Sequence, residues 1–159
     1  MRPFAAQAES AGAILYAPKS SAVTWDFIGG PFGADRASLD ASLHRLFSEY
    51  NVDPARVGIA GFSDGASYAL TIGLSNGDLF TRVAAFSPGM GIVLEAHGMP
   101  AVFISHGTRD DILAIDRTSR LIVPRLQAQG YAVEYHEFDG RHGVPDSLAR
   151  RAFMLLVAP

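Results

Sequence analysis

Short apolar runs rich in strand-forming residues alternate along this chain with longer stretches of helical periodicity, and no other feature restricts its fold as strongly. The runs are Ala13 to Ala17, Val57 to Ala60, Val83 to Phe86, Ala101 to Ser105 and Ala132 to Phe138. Helical segments fill the gaps. Leu39, Leu43, Leu46, Phe47 and Tyr50 share one face of a helix over Leu39 to Tyr50. Further helices are expected over Gly65 to Leu74, over Arg117 to Gln129 with Gly130 as its stop, and over Asp146 to Val157. Strands that alternate with helices pack as a parallel sheet wrapped on both faces. Val83-Ala84-Ala85-Phe86 and Ala101-Val102-Phe103-Ile104 are apolar throughout rather than alternating, as strands covered on both faces are. The expected fold is α/β, with a mainly parallel sheet of about five strands in one domain over residues 1–159.

Composition agrees with that architecture and narrows the chemistry. With 48% hydrophobic and 18% charged residues, a chain of 159 residues can bury a core without staples. A net charge of -3 leaves no positive field for phosphates, so nucleic acid is not an expected partner. There is no cysteine, which rules out disulfides, thiolate metal sites and a cysteine nucleophile. The first ten residues lack the apolar stretch of a secretory signal, and no run of about 18 apolar residues occurs. The expectation is a cytoplasmic protein with no membrane partner. Metal is not expected either, since His-x-x-x-His pairs and helically spaced carboxylate clusters are missing from the sequence. Gly29-Gly30-Pro31-Phe32-Gly33 lacks the Lys-Ser/Thr of a phosphate loop and is read as irregular.

In parallel sheets, chemistry gathers at the carboxyl ends of strands, which directs attention to the residues after each run. After Val57 to Ala60 comes Gly61-Phe62-Ser63-Asp64-Gly65, followed by a helical segment. Gly-x-Ser-x-Gly between strand and helix forces a sharp turn that lifts the serine hydroxyl above the sheet. The helix amino terminus favours negative charge, and the Asp64 amide is placed to donate to an oxyanion. A serine needs a base, and among five histidines His142 is the candidate, in the loop Gly140-Arg141-His142-Gly143 after the last strand. An imidazole with a pKa of about 6.5 can accept and return a proton near neutrality, so activity should rise as His142 loses its proton. His44 lies within a helix, His97 in an irregular stretch, and His136 inside a strand; all three read as structural. His106 reads as a ring bonded to loop backbone. The acid that orients the base should lie between serine and histidine, where both Asp110 and Asp111 follow the strand ending at Ser105. Spacing alone leaves the two open, and Asp116 is read as the cap of the following helix.

Together the Ser63 elbow, Ser105-His106-Gly107-Thr108-Arg109-Asp110 and Phe138-Asp139-Gly140-Arg141-His142 resemble the phospholipase/carboxylesterase-like branch of the α/β-hydrolase superfamily. The resemblance runs from about Arg2 to Ala158. It implies a catalytic triad of Ser63, His142 and Asp110, because in that family the acid stands four residues after the histidine of the His-Gly pair. It further implies a small-molecule ester as substrate, an acyl-enzyme intermediate, and no cofactor. Against the family pattern, the chain starts at what reads as the helix after a His-Gly-Gly-like loop, which would supply a second oxyanion donor. The strand that lies in the family between the counterparts of Ala13–Ala17 and Val57–Ala60 has no match. Unless those two runs pair directly, unpaired strand edges would then remain, and a homo-oligomer is expected. A shortened hydrolase relative acting in assembly or binding stays open beside the esterase reading, as do amide, thioester and lactone substrates. Trp25, Phe62, Ile112 and Leu113 are candidates for an apolar acyl site or for ordinary core.

Overall fold

A computed structural model describes residues 2–29 and 31–158. Helices α1 (Arg2–Ser10), α2 (Asp26–Gly29) and α3 (Ala34–Glu49) precede the sheet. Strand β1 (Gly58–Phe62), helix α4 (Asp64–Ser75), strands β2 (Arg82–Phe86) and β3 (Ala101–Gly107), helix α5 (Ser119–Ala128), strand β4 (Val133–Phe138) and helix α6 (Asp146–Leu156) follow. All strand pairs are parallel, and the spatial order β1-β2-β3-β4 is the sequence order.

The unbroken apolar runs are explained by what covers them. On one face Val83, Ala85, Val102 and Ile104 pack against Leu70 and Leu74 of α4 and Ile122 and Leu126 of α5. On the other, Ala84, Phe86 and Phe103 meet Phe4 and Ala8 of α1 and Ala149, Ala152 and Phe153 of α6. Successive strand side chains point to opposite faces, so each central strand feeds two cores. A third cluster joins Leu39 of α3 to Tyr68 and Ile72 on the outer side of α4.

The sheet of the described residues has four strands where about five were expected. Ala13 to Ala17 is the run that differs: it belongs to neither a helix nor a sheet. A strand exists only where a neighbour about 4.8 Å away takes its backbone bonds. Here the Ala13 amide still bonds the Ala8 carbonyl at the end of α1. A cavity of about 630 Å³ has both this segment and β1 in its wall.

Helix α3 begins at Ala34, before the expected start at Leu39. The cause is remote in sequence. Asp26 Oδ2 accepts from the amides of Gly33, Asp35 and Arg36, doing the work of a cap from another segment. The Asp35 carboxylate in turn accepts from the Ser21 and Asp26 amides, which fixes the loop preceding α3. Helix α5 starts two residues later than expected, after a tight turn at Ile115–Arg117. Asp116 lies inside that turn and pairs with Arg120 at 2.7 Å instead of capping the helix.

Candidate active site

Strand β1 ends at Phe62 and α4 starts at Asp64, leaving a single residue to make the turn. Ser63 makes it with φ 59 and ψ -122, left-handed backbone that a non-glycine residue adopts at a cost. Its amide donates to the Phe86 carbonyl of β2 at 2.9 Å, and its carbonyl accepts from Ala66 and Ser67 as α4 begins. The turn closes only because of Gly61, where a Cβ would stand 2.0 Å from the Gly65 carbonyl oxygen. The Asp64 amide is the first of α4 and has no intrahelical acceptor, while the Asp64 carboxylate accepts from Thr24 Oγ1 and the Gly65 amide.

The loops after β3 and β4 come together beside this turn. Gly107 lets them: a Cβ there would lie 2.4 Å from the Arg141 carbonyl oxygen. The Thr108 and Arg109 amides donate to the Phe138 and Gly140 carbonyls, and exposed pairs Arg109–Asp139 and Arg141–Asp111 flank the junction. Asp111 is thereby engaged at the surface.

This arrangement places Ser63, His142 and Asp110 in one hydrogen-bonded row. His142 Nε2 lies 2.9 Å from Ser63 Oγ, and His142 Nδ1 lies 2.7 Å from Asp110 Oδ2. The Asp110 side chain is fully buried, and that of His142 is 15% exposed. Burial pushes the Asp110 carboxyl upward. Hydrogen bonds from the Leu113 amide, His142 and the Ile112 amide outweigh it, and the carboxyl sits below its ordinary range. Phe62, exposed beside the turn, sets its ring 4.7 Å from the His142 imidazole.

His106 is fully buried behind the acid, between Ser119 Oγ at 2.7 Å, the Leu113 carbonyl at 2.8 Å and Asp110 Oδ2 at 3.1 Å. The backbone bond expected for it is present, and the bonds to Ser119 and Asp110 are additional. His136 in β4 pairs with Glu134. Among the four apolar candidates, Ile112 is exposed, Phe62 covers the histidine, Leu113 carries the amide and carbonyl just described, and Trp25 stacks on Tyr68 at 4.6 Å. Ser67 was not singled out from the sequence. Its hydroxyl accepts from the Gly89 and Met90 amides and so ties the loop after β2 to the base of the turn. Ser87, fully buried with φ 49, is likewise unforeseen, although a serine directly after an apolar strand was a visible signal. The 630 Å³ cavity reaches the back of the turn at Gly61, Phe62, Asp64 and Gly65, while Ser63, Asp110 and His142 are not in its wall.

An esterase family model, described as "Putative esterase", matches residues 43–146, which span β1 through the His142 loop. The chain belongs to this esterase family. It is 29% identical over 112 residues to the bifunctional acetylxylan esterase/xylanase XynS20E of Neocallimastix patriciarum, a match covering 67% of this chain and 16% of that protein. Esterase PE8 superposes with a TM-score of 0.66 at 27% identity, over 77% of this chain and 59% of PE8. The ferulic acid esterase AmCE1/Fae1A of Anaeromyces mucronatus, at 20% identity, shares the fold with a TM-score of 0.65 over 89% of this chain and 61% of that one. The chain therefore spans less than two thirds of each of these relatives. Among the described residues no helix is long and apolar enough to cross a membrane, and no group of three or more histidine and carboxylate side chains could hold a metal ion.

Proposed function

We propose that this esterase-family chain hydrolyses carboxylic esters with small or medium acyl groups through Ser63, His142 and Asp110. The observation that carries the proposal is the continuous row from Ser63 Oγ through both imidazole nitrogens to a buried carboxylate. In this reaction His142 Nε2 takes the Ser63 proton as Oγ bonds to the ester carbonyl carbon. The oxyanion that forms accepts from the Asp64 amide at the amino end of α4. His142 then protonates the departing alcohol, and water repeats the sequence on the acyl-Ser63 ester. Asp110 accepts a hydrogen bond from Nδ1–H throughout and stays ionised, which leaves Nε2 free to act as base. No cofactor enters any step.

The relatives guide the choice of acyl group, since one is named for acetyl esters and another for a ferulic ester. Purified protein incubated with a fluorophosphonate should gain one adduct by intact mass and should turn over p-nitrophenyl acetate and butyrate. Ser63→Ala should do neither while keeping its circular dichroism spectrum. A folded wild-type protein that takes up no adduct and cleaves neither ester would refute the proposal.

A further inference from the structure

The hydrogen-bonded row from Ser63 does not stop at the acid. Asp110 Oδ2, which receives His142 Nδ1 at 2.7 Å, also lies 3.1 Å from Nε2 of His106, and both side chains of that second contact are fully buried. The same Nε2 is 2.8 Å from the Leu113 carbonyl, and His106 Nδ1 is 2.7 Å from Ser119 Oγ. A carbonyl can only accept, so Nε2 carries the hydrogen and shares it between Leu113 and Asp110, while Nδ1 accepts from the Ser119 hydroxyl. Ser119 opens α5 and is fully buried, so its hydroxyl anchors the ring and meets no substrate.

A histidine that only tied loop to helix would be satisfied by Leu113 and Ser119. Instead its one N–H also faces the oxygen that His142 uses. Leu113 closes the arrangement. Its carbonyl takes the His106 hydrogen, and its amide donates to Asp110 Oδ1 at 2.8 Å, beside the Ile112 amide at 2.9 Å. A carboxylate has about four lone-pair sites. Here the amides of Ile112 and Leu113 and the imidazoles of His142 and His106 face them, so the carboxylate cannot turn without giving up donors at both oxygens.

Ester hydrolysis asks two things of this acid. Oδ2 must stay in line with Nδ1 while His142 gains and loses its charge, and it must remain an acceptor rather than take the proton. A second N–H on the same oxygen serves both, because it restrains Oδ2 and competes for its lone pairs. Only a neutral ring can do this, since a charged one would oppose the imidazolium that forms at His142. Burial holds the His106 pKa below its ordinary value, which agrees with that requirement. We propose that His106 is a positioning residue for ester hydrolysis, holding Asp110 against His142 directly and through Leu113, with Ser119 fixing the ring. The role rests on the esterase reading of Ser63, His142 and Asp110.

Two amide side chains separate the functions of the ring. In His106→Gln the amide nitrogen can stand where Nε2 stands and donate to Asp110 and Leu113. In His106→Asn the shorter amide reaches Ser119 and offers Asp110 no donor. Each is compared with the wild type by p-nitrophenyl acetate turnover well below the thermal midpoint, and by fluorophosphonate labelling read as intact mass. His106→Asn should still label to one adduct per chain, with kcat lowered about 10- to 100-fold and KM unchanged. His106→Gln should recover most of the lost kcat. An unimpaired His106→Asn, a loss confined to KM, or equal losses in the two variants would each overturn the proposal. Ser119→Ala decides the matter if His106→Asn does not fold. It leaves every donor to Asp110 in place but frees the ring, so kcat should fall with KM unchanged, and a wild-type kcat would overturn the role. A wild type that takes up no adduct defeats the esterase reading and this role with it, whereas a labelled, active wild type beside an unimpaired His106→Asn defeats this role alone.

Discussion

Asp110 divides its carboxylate between two tasks. Oδ1 accepts from the Ile112 and Leu113 amides and shapes the loop, while Oδ2 faces His142 and His106. Asp110→Asn can keep the first task, because the amide oxygen still accepts from both backbone donors. It reverses the second, presenting N–H to His142 Nδ1 and favouring the tautomer in which Nε2 carries the proton. Ester turnover should fall about 10⁴-fold with the fold retained, checked by kcat/KM on p-nitrophenyl acetate alongside circular dichroism. Activity close to wild type would remove Asp110 from the mechanism. His106 gives a separate test through stability. The Leu113 carbonyl can only accept, so Nε2 carries the ring proton and Nδ1 accepts from Ser119 Oγ. Burial is the main reason its pKa lies below the ordinary 6.5, against the opposing pull of the Leu113 carbonyl and Asp110. The unfolded chain therefore binds a proton on this ring at a higher pH than the folded one does. The stabilisation is complete above pH of about 6.5 and declines as pH falls from there toward the depressed folded value, by at most about 1.4 kcal/mol per pH unit. Thermal midpoints between pH 7 and 5 should fall for the wild type and flatten for His106→Gln; parallel profiles would contradict the assignment.

Between strand and helix, the turn at Ser63 depends on backbone reaching backbone. A methyl group at position 61 would meet the Gly65 carbonyl at 2.0 Å, a contact that no side-chain rotation relieves. Gly61→Ala should cost about 1–3 kcal/mol in urea unfolding and should also depress fluorophosphonate labelling, because the turn must open to admit it. A variant that keeps both would show the approach to be unnecessary. The same dependence on neighbours explains which elements could be read from sequence. Strands β2 and β3 were legible because burial on both faces writes an unbroken apolar run into each. The turn was legible because glycine, serine and glycine stand in fixed order within five residues. Ala13 to Ala17 carries an equally good local pattern, yet a strand is a relation between two segments, and within the described residues its pairing partner is missing. The start of α3 was hidden for a similar reason, since its capping carboxylate belongs to Asp26 in the preceding short helix. The choice between Asp110 and Asp111 rested on resemblance. In the structure Asp111 pairs with Arg141 at the surface, whereas Asp110 is buried within hydrogen-bond distance of His142.

At the scale of the molecule, the two faces of the sheet are linked through shared strands, and we propose that the chain unfolds as one domain. Phe4 of α1 packs its ring 6.1 Å from that of Phe86 in β2 and 5.8 Å from that of Phe153 in α6. It thus joins the amino-terminal helix to a central strand and to the last helix. Trp25, the sole tryptophan, lies in a different cluster, stacked on Tyr68 on the outer side of α4. Phe4→Ala removes a buried aromatic ring and should cost about 3–5 kcal/mol. If the chain is one cooperative unit, that loss reaches Trp25 although the residues belong to separate clusters. The urea midpoints from Trp25 fluorescence and from far-ultraviolet circular dichroism should then shift together by the same amount. A Trp25 transition left in place while the dichroism midpoint drops would show instead that α1 and α6 detach as a subunit of stability. The segment 11–24 would then be a hinge between two bodies.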